Sequence, residues 1–311
     1  MKVAFFGLPL AGCLLAADGH SLCLAVLSPV AAPGGRRLRR QIGAGRVRSA
    51  PKTPGEHAEI ERRLRAEQPD LIVSWFWTRR LPEGWLETAR LGAIGAHPSL
   101  LPRHRGPDPY FWAIDSGDVE TGVTVHVLEG EYDTGDIVLQ ESLPIGEQTA
   151  WQLARALDRP SLRLLRRAAR QVAEQGAVRG TPQPPGDVTW APAPDGALLR
   201  VDWSWPTARI LRRIRALSPT PGLALEVAGL RMEVTHAVDT SDYPLALKPG
   251  EAAALGRRLV IRSGDGALEV VWAMVEESAR DEPRRVSGND LAALVASRQP
   301  VLDSASSEDP E

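Results

Sequence analysis

Short apolar runs separated by amphipathic stretches organise the first half of the chain. Val3 to Phe6, Leu22 to Leu27, Leu71 to Trp77 and Ala93 to Ala96 are nearly continuous apolar runs, as strands buried on both faces require. Between them, His57 to Glu67 and Pro82 to Ala89 carry helical spacing. This βαβ rhythm predicts an α/β fold: an open, mostly parallel twisted sheet with helices on both faces. Gly122 to Glu129 and Ile137 to Leu143 predict two more strands, with Asp133-Thr134-Gly135 in the turn between them. From Thr149 to Gln175 leucines and alanines recur at helical spacing, and Pro160 predicts a kink or restart in that helix.

The texture changes after Gly180. The stretch 181–194 holds Pro182, Pro184, Pro185, Pro192 and Pro194 and reads as a linker. Beyond it Ala208 to Leu217 predicts a basic helix. Leu223 to Val227, Leu230 to Val238, Leu259 to Arg262 and Leu268 to Trp272 predict short strands joined by Gly-containing turns. The expected organisation is an α/β domain over 1–180, the linker over 181–194, a small β-barrel-like (OB-like) domain over 195–303, and a polar, acidic, disordered tail over 304–311.

Composition narrows the classes. Lys+Arg 37 against Asp+Glu 39 gives a net charge of −2, so any nucleic-acid contact must be local rather than a property of the whole surface. Cys13 and Cys23 allow at most one bridge, and with His20 and His126 they show no metal-ligand spacing, so no metal is expected. The run Leu10-Ala11-Gly12-Cys13 looks like a lipoprotein cleavage box. The segment before it holds a single Lys2 and is interrupted by Gly7 and Pro9, which favours a buried first strand leading into a short helix. No apolar run reaches the ~18 residues of a membrane span, and a cytoplasmic protein is expected. Gly7-Leu8-Pro9 lacks the glycine pattern of a dinucleotide site.

Two features carry chemistry. His97 ends the fourth predicted strand and opens the loop His97-Pro98-Ser99-Leu100-Leu101-Pro102-Arg103-His104-Arg105-Gly106, and open α/β sheets bind ligands outside the carboxyl ends of their strands. Asp133 lies in the tight Tyr132–Gly135 turn, where Asp also serves turn geometry. A lone His is more often structural than catalytic. Trp75, Trp77 and Trp112 lie near the candidate site as stacking surfaces or core. His104 and Arg105 read either as contacts to an acidic ligand or as surface.

Together, in this order and spacing, these residues resemble a family. Asp70-Leu71-Ile72-Val73, the Leu81-Pro82 pair, the His97 to Gly106 loop, Gly122-Val123-Thr124-Val125 and the Asp133-Thr134-Gly135-Asp136 turn look like the formyltransferases that use 10-formyltetrahydrofolate. Val201-Asp202-Trp203-Ser204 and Arg215 to Gly222 look like the start of that family's carboxyl-terminal domain, so the resemblance covers almost the whole chain. It implies a cytosolic transferase in which an amine attacks the formyl carbon of a 10-formyltetrahydrofolate cosubstrate. His97 would serve the developing oxyanion, and Asp133 would orient the imidazole or accept the amine proton. It also implies pterin contacts from Phe76, Trp77, Leu81, Pro82, Ile94, Ser99, Leu100, Leu101, Pro102, Gly106 and Gly135.

One departure sits at the centre. Where the family places an Asn two residues before its His, this chain has Gly95, which carries no side-chain donor. Losing one oxyanion donor costs about 10² to 10³ in rate. The expected function is formyl transfer to an amine of a small-molecule acceptor. The alternatives are hydrolysis of 10-formyltetrahydrofolate, formylation of methionyl-tRNA, and ligand binding without chemistry; restoring the donor by Gly95→Asn is expected to raise transfer. Arg36, Arg37, Arg39, Arg40, Arg46 and Arg48 fill 34–48 without an acid, at about the place where the tRNA-directed relatives have a basic loop. That Arg-rich loop is the candidate tRNA contact, a sugar-nucleotide phosphate clamp, or a solvated segment.

Overall fold

The computed structural model describes residues 1–276 and 282–298. The expected disordered tail, 304–311, and the last residues of the expected second domain, 299–303, lie outside the described residues. The chain divides into two compact units. Met1–Ala113, Asp118–Gly146 and Gln152–Ala193 form one, and Ile114–Gly117, Glu147–Trp151 and the chain from Pro194 onward form the other.

Up to Ala193 the elements are β1 (Lys2–Gly7), α1 (Pro9–Ala17), β2 (Ser21–Leu27), α2 (Gly35–Ile42), β3 (Val47–Ser49), α3 (Pro54–Glu67), β4 (Leu71–Trp75), α4 (Glu83–Leu86), β5 (Ala93–His97), α5 (Pro109–Asp115), β6 (Glu120–Val127), β7 (Ile137–Pro144) and α6 (Ala150–Gln175). The strands form one sheet in the order β3-β2-β1-β4-β5-β6-β7. The first five are parallel, and β6 and β7 run antiparallel at one edge. This is the open, mostly parallel sheet that the apolar runs predict. Val3 to Phe6 are wholly buried because β1 lies between β2 and β4, and Cys13 is a buried residue of α1. On one face Phe6 packs against Trp77 and Trp85, joined by Ile60 and Leu64 of α3. Thr53 opens α3 with a capping box shared with Glu56.

Two local expectations change. The arginine-rich segment 34–48 is mostly ordered as α2, a single 3-10 turn and β3, rather than one loop. Leu38 is wholly buried on its inner side, Gly34 and Gly43 bound the helix at positive φ, and Arg36, Arg37, Arg39 and Arg40 remain exposed. α6 runs unbroken through Pro160. Burial of Leu153, Leu157, Leu164, Leu165 and Val172 on one side outweighs the ~3 kcal/mol that an interior proline costs.

The Pro-rich segment lies along the first unit. Thr181 exchanges two backbone hydrogen bonds with Ile137, Ala191 N donates to Arg105 O at 2.7 Å, and Asp108 N donates to Ala191 O at 3.0 Å. It thereby braces the loop that follows β5.

The second unit contains α7 (Thr207–Ala216), β8 (Leu223–Val227), β9 (Leu230–Thr240), β10 (Ala252–Leu255), β11 (Arg258–Arg262), β12 (Ala267–Glu276), β13 (Arg284–Ser287) and α8 (Gly288–Arg298). They form an antiparallel sheet in the order β10-β11-β12-β9-β8, with β13 paired to β12. The small-residue strand β10 and the four-residue β13 escape a reading based on apolar runs. Arg213 of α7 is buried and grips both carboxylate oxygens of Asp115 at 2.5 and 2.8 Å, the bidentate geometry that makes such a buried pair acceptable.

Candidate active site

His97 ends β5 and is 7% exposed. Its Nε2 lies 2.8 Å from the backbone oxygen of His104. A carbonyl can only accept, so this nitrogen carries the proton. The other nitrogen, Nδ1, lies 3.4 Å from Asp133 Oδ2. His104 reaches this position in the left-handed region, at φ 58, and its ring is buried against Asp118 Oδ2 at 2.7 Å. Asp118 also takes Arg103, and Thr189 takes the His104 backbone N–H at 2.8 Å. His104 is therefore neither surface nor ligand contact, and Arg105 is committed to Gln183 Oε1.

Asp133 sits in its turn at φ 55, a conformation that Asp tolerates better than most residues. Its Oδ2 accepts the Gly106 N–H at 2.8 Å, and its Oδ1 lies 3.4 Å from Nε2 of His126. His126 Nδ1 donates to Val127 O at 2.8 Å. Burial would raise the Asp133 pKa, but His97, His126 and the Gly106 amide overcome it and hold the carboxyl at about 2. Burial pushes His97 down, against the opposing pull of Asp133 and the His104 carbonyl. Nε2 of His97 and Nδ1 of His126 are tied to backbone carbonyls, so the ring nitrogens that face the Asp133 carboxylate are where the cluster can take up a proton and gain a hydrogen bond with it.

These groups border a cavity of about 360 Å³, within the size range of small-molecule sites. Of the expected contacts, Phe76, Trp77, Leu81, His97, Gly106 and Asp133 line it. Phe76 holds φ 53, which is uncommon for a bulky residue and turns its ring to the cavity edge. Pro82, Ile94, Ser99, Leu100, Leu101, Pro102 and Gly135 do not line it. Strand alternation turns Ile94 into the core, and Pro82 opens α4. The Ser99 to Pro102 loop is tied inward: Thr124 Oγ1 donates to Ser99 O and accepts Leu101 N, and Gln140 donates to Leu101 O. Gly135 lies so close to Val127 that a Cβ would stand 2.2 Å from its carbonyl oxygen. Trp75 and Trp77 border the cavity, whereas the Trp112 indole donates to Pro192 O.

Leu128 closes the space that Gly95 leaves. A Cβ on Gly95 would lie 2.7 Å from Leu128 Cδ2, and His126 stands directly across the β5–β6 ladder from Gly95. Sequence spacing brings His126 to notice only as a metal ligand, a role it does not support. Its strand position, two residues after Thr124 and hence on the same face, is the signal that could have placed it beside His97. Tyr110 and Asp158 also line the cavity, and sequence reasoning missed both because α5 was not foreseen and the cavity-facing side of α6 follows only from packing. Burial raises the pKa of Tyr110, helped by Asp158 and Asp108. Burial also raises Asp158, opposed by Arg155. Trp77 Nε1 is buried with no acceptor among the described residues.

A His–Asp–His cluster at the strand ends, facing an aromatic-walled cavity, defines an α/β enzyme unit equipped to bind a flat ligand and move a proton. Residues 19–168 match the Formyl transferase family, and residues 197–281 match the Formyl transferase, C-terminal domain, family. The methionyl-tRNA formyltransferase of Ralstonia nicotianae is 35% identical over 291 residues, covering 87% of this chain and 89% of that one. That of Anaeromyxobacter dehalogenans is 34% identical over 285 residues, covering 87% and 91%. Among solved structures, HypX from Aquifex aeolicus in complex with tetrahydrofolic acid superposes with a TM-score of 0.61 at 23% identity, over 94% of this chain, which spans 46% of that one. An N-formyltransferase from Helicobacter canadensis in complex with folinic acid and dTDP-3-aminofucose gives 0.62 at 16% identity, covering 87% and 98%. The chain belongs to the formyltransferase family. It is a formyltransferase dependent on 10-formyltetrahydrofolate.

Proposed function

We propose that this formyltransferase acts on the amino group of methionyl-tRNA, in the cytoplasm, rather than on a small-molecule amine. The observation that carries the reading is likeness at 35% identity, through both family regions, to enzymes with that acceptor. The exposed arginines of α2 suit the phosphates such an acceptor brings.

In the reaction the amine nitrogen forms a bond to the formyl carbon, the bond from that carbon to N10 of the folate breaks, the amine loses a proton and N10 gains one. The cavity suits the donor: Phe76, Trp77, Leu81 and Leu128 offer flat and apolar walls, and the Trp77 indole N–H, without an acceptor among the described residues, suits a pterin carbonyl or the formyl oxygen on N10. Asp158, whose proton affinity is raised, takes the amine proton as the new bond forms. The His97–Asp133–His126 cluster holds a proton in transit. The carboxylate of Asp133, held at about 2, serves as a fixed negative charge and not as the resting base.

The test is release of tetrahydrofolate from 10-formyltetrahydrofolate with methionyl-tRNA, with an amino sugar nucleotide, with a free amino acid, or with no acceptor. Release dependent on methionyl-tRNA is expected. Release without any acceptor would mean hydrolysis, and release dependent only on a small amine would overturn the assignment.

A further inference from the structure

The outward side of α6 differs from other charged surfaces of the first unit. Arg155, Arg159, Arg163, Arg167 and Arg170 are all exposed. At about 100° and about 1.5 Å per residue they fall within an arc of roughly 120° along about 22 Å of helix. Of these five only Arg163 forms an ion pair among the described residues, with Glu141. Arg166 beside them is half-buried on Asp18.

The helix α3 shows what a solubilising face looks like in the same protein. There Glu59 pairs with Arg62 and Arg63, and Glu61 pairs with Arg65. Such opposite-sign spacing supports a helix, whereas like charges at four-residue spacing oppose it by a few tenths of a kcal/mol per pair. α6 keeps the unfavourable spacing three times in succession: Arg155 to Arg159, Arg159 to Arg163, and Arg163 to Arg167. On the opposite side of the same helix Leu157, Asp158 and Ser161 line the reaction cavity. Asp158 stands one turn after Arg155, so the start of the row lies near the cavity wall. α2 and α6 both adjoin α1, the former where Leu38 meets Gly12 and the latter through Arg166 and Asp18, so the two arginine-bearing helices share one face of the sheet.

We propose that the exposed arginine row of α6 binds the phosphate backbone of the RNA acceptor. The inference rests on the acceptor reading above and adds a second surface to α2. Guanidinium groups fork onto phosphate oxygens. Leu153, Leu157, Leu164, Leu165 and Val172 of α6 are buried, and the exposed Trp151 stands at one end of the row, four residues before Arg155, so the row itself carries no apolar strip that would enter a bilayer. That favours RNA over a lipid surface.

The variant Arg159→Gln/Arg167→Gln/Arg170→Gln leaves Arg155, near Asp158, and the paired Arg163 and Arg166 in place. It relieves repulsion within the helix, and an unchanged urea midpoint or a higher one verifies folding. Binding of tRNA is measured by fluorescence anisotropy across a salt series, and binding of tetrahydrofolate is measured alongside. The expected result is at least tenfold weaker tRNA binding near 0.1 M salt, a slope of log affinity against log salt smaller by about 2 to 3, and unchanged tetrahydrofolate binding. Equal affinity and slope in the two proteins overturn the proposal. Loss of binding to anionic phospholipid vesicles with tRNA binding intact also overturns it, and assigns the row to lipid. If the wild type binds tRNA through this row yet does not formylate methionyl-tRNA, the acceptor reading fails and the RNA surface stands.

Discussion

Asp158 and Asp133 line one cavity with opposite proton affinities. Burial raises Asp158 and Arg155 only partly offsets it, while His97, His126 and the Gly106 amide bring Asp133 down to about 2. A carboxylate with a raised pKa is the better base for the amine proton. The rate should therefore show an acid limb in kcat/KM above the ordinary Asp range, rising as Asp158 ionises. Asp158→Asn is expected to lower kcat about 10²-fold, to remove that limb, and to leave KM for 10-formyltetrahydrofolate nearly unchanged; an intact limb in the variant would assign the proton elsewhere. Gly95 supplies the second residue-scale prediction. Because a Cβ there meets Leu128 Cδ2 at 2.7 Å, Gly95→Asn by itself must displace the half-buried Leu128 side chain, and it is expected to cost up to about 1 kcal/mol of stability and to give no gain in rate. Combined with Leu128→Ala, which opens the space, the new amide should raise kcat by about 10². A gain from the single substitution would show that Leu128 yields freely.

Among the elements, α6 has the most to explain. It continues through Pro160, which forfeits one backbone hydrogen bond. Pro160→Ala should restore that bond and stabilise the protein by about 1–3 kcal/mol, read as a higher urea midpoint with unchanged slope; a lower midpoint would mean that the proline ring is itself part of the packing. The same helix shows why part of the site was illegible. Periodicity predicts which α6 residues point inward, and Leu157 and Ser161 do so, but whether an inward side meets core or cavity depends on the neighbour. Here Ser161 Oγ accepts the Trp75 indole N–H at 2.9 Å, which anchors the end of β4 beside the cavity. α2 shows a different gap. Four arginines surround the one wholly buried residue of this helix, Leu38, which is too little apolar signal for a pattern reading.

For the molecule as a whole, two buried groups tie stability to acidity in the same direction. His97 is pushed down by burial, so the folded state stays neutral where an unfolded histidine, near 6.5, takes up a proton. Its contribution is present above about 6.5 and is lost as pH falls below that value. Asp133 stays ionised to about 2 when folded, against an ordinary value of 3.8. Its contribution, about 2 kcal/mol, is present above roughly 4 and is lost as pH falls toward 2. Urea midpoints taken from pH 8 to pH 2 should fall in two stages, and Asp133→Asn should shrink the lower one, which Asp18, Asp70 and Asp118 share. A midpoint indifferent to pH would contradict the cluster as described.

The sequence by itself determined the mostly parallel sheet and the short strands of the second unit, because apolar periodicity acts over a few neighbouring residues, and resemblance to a family joined His97 and Asp133 as a candidate pair. Only the tertiary structure decided that the Ser99 to Pro102 loop turns inward, that Leu128 fills the space over Gly95, and that His126, Tyr110 and Asp158 meet around one cavity. Those outcomes depend on which strand pairs with which and on which helix covers them. A side chain's neighbours across a sheet are set by register over tens of residues, and no local pattern encodes that.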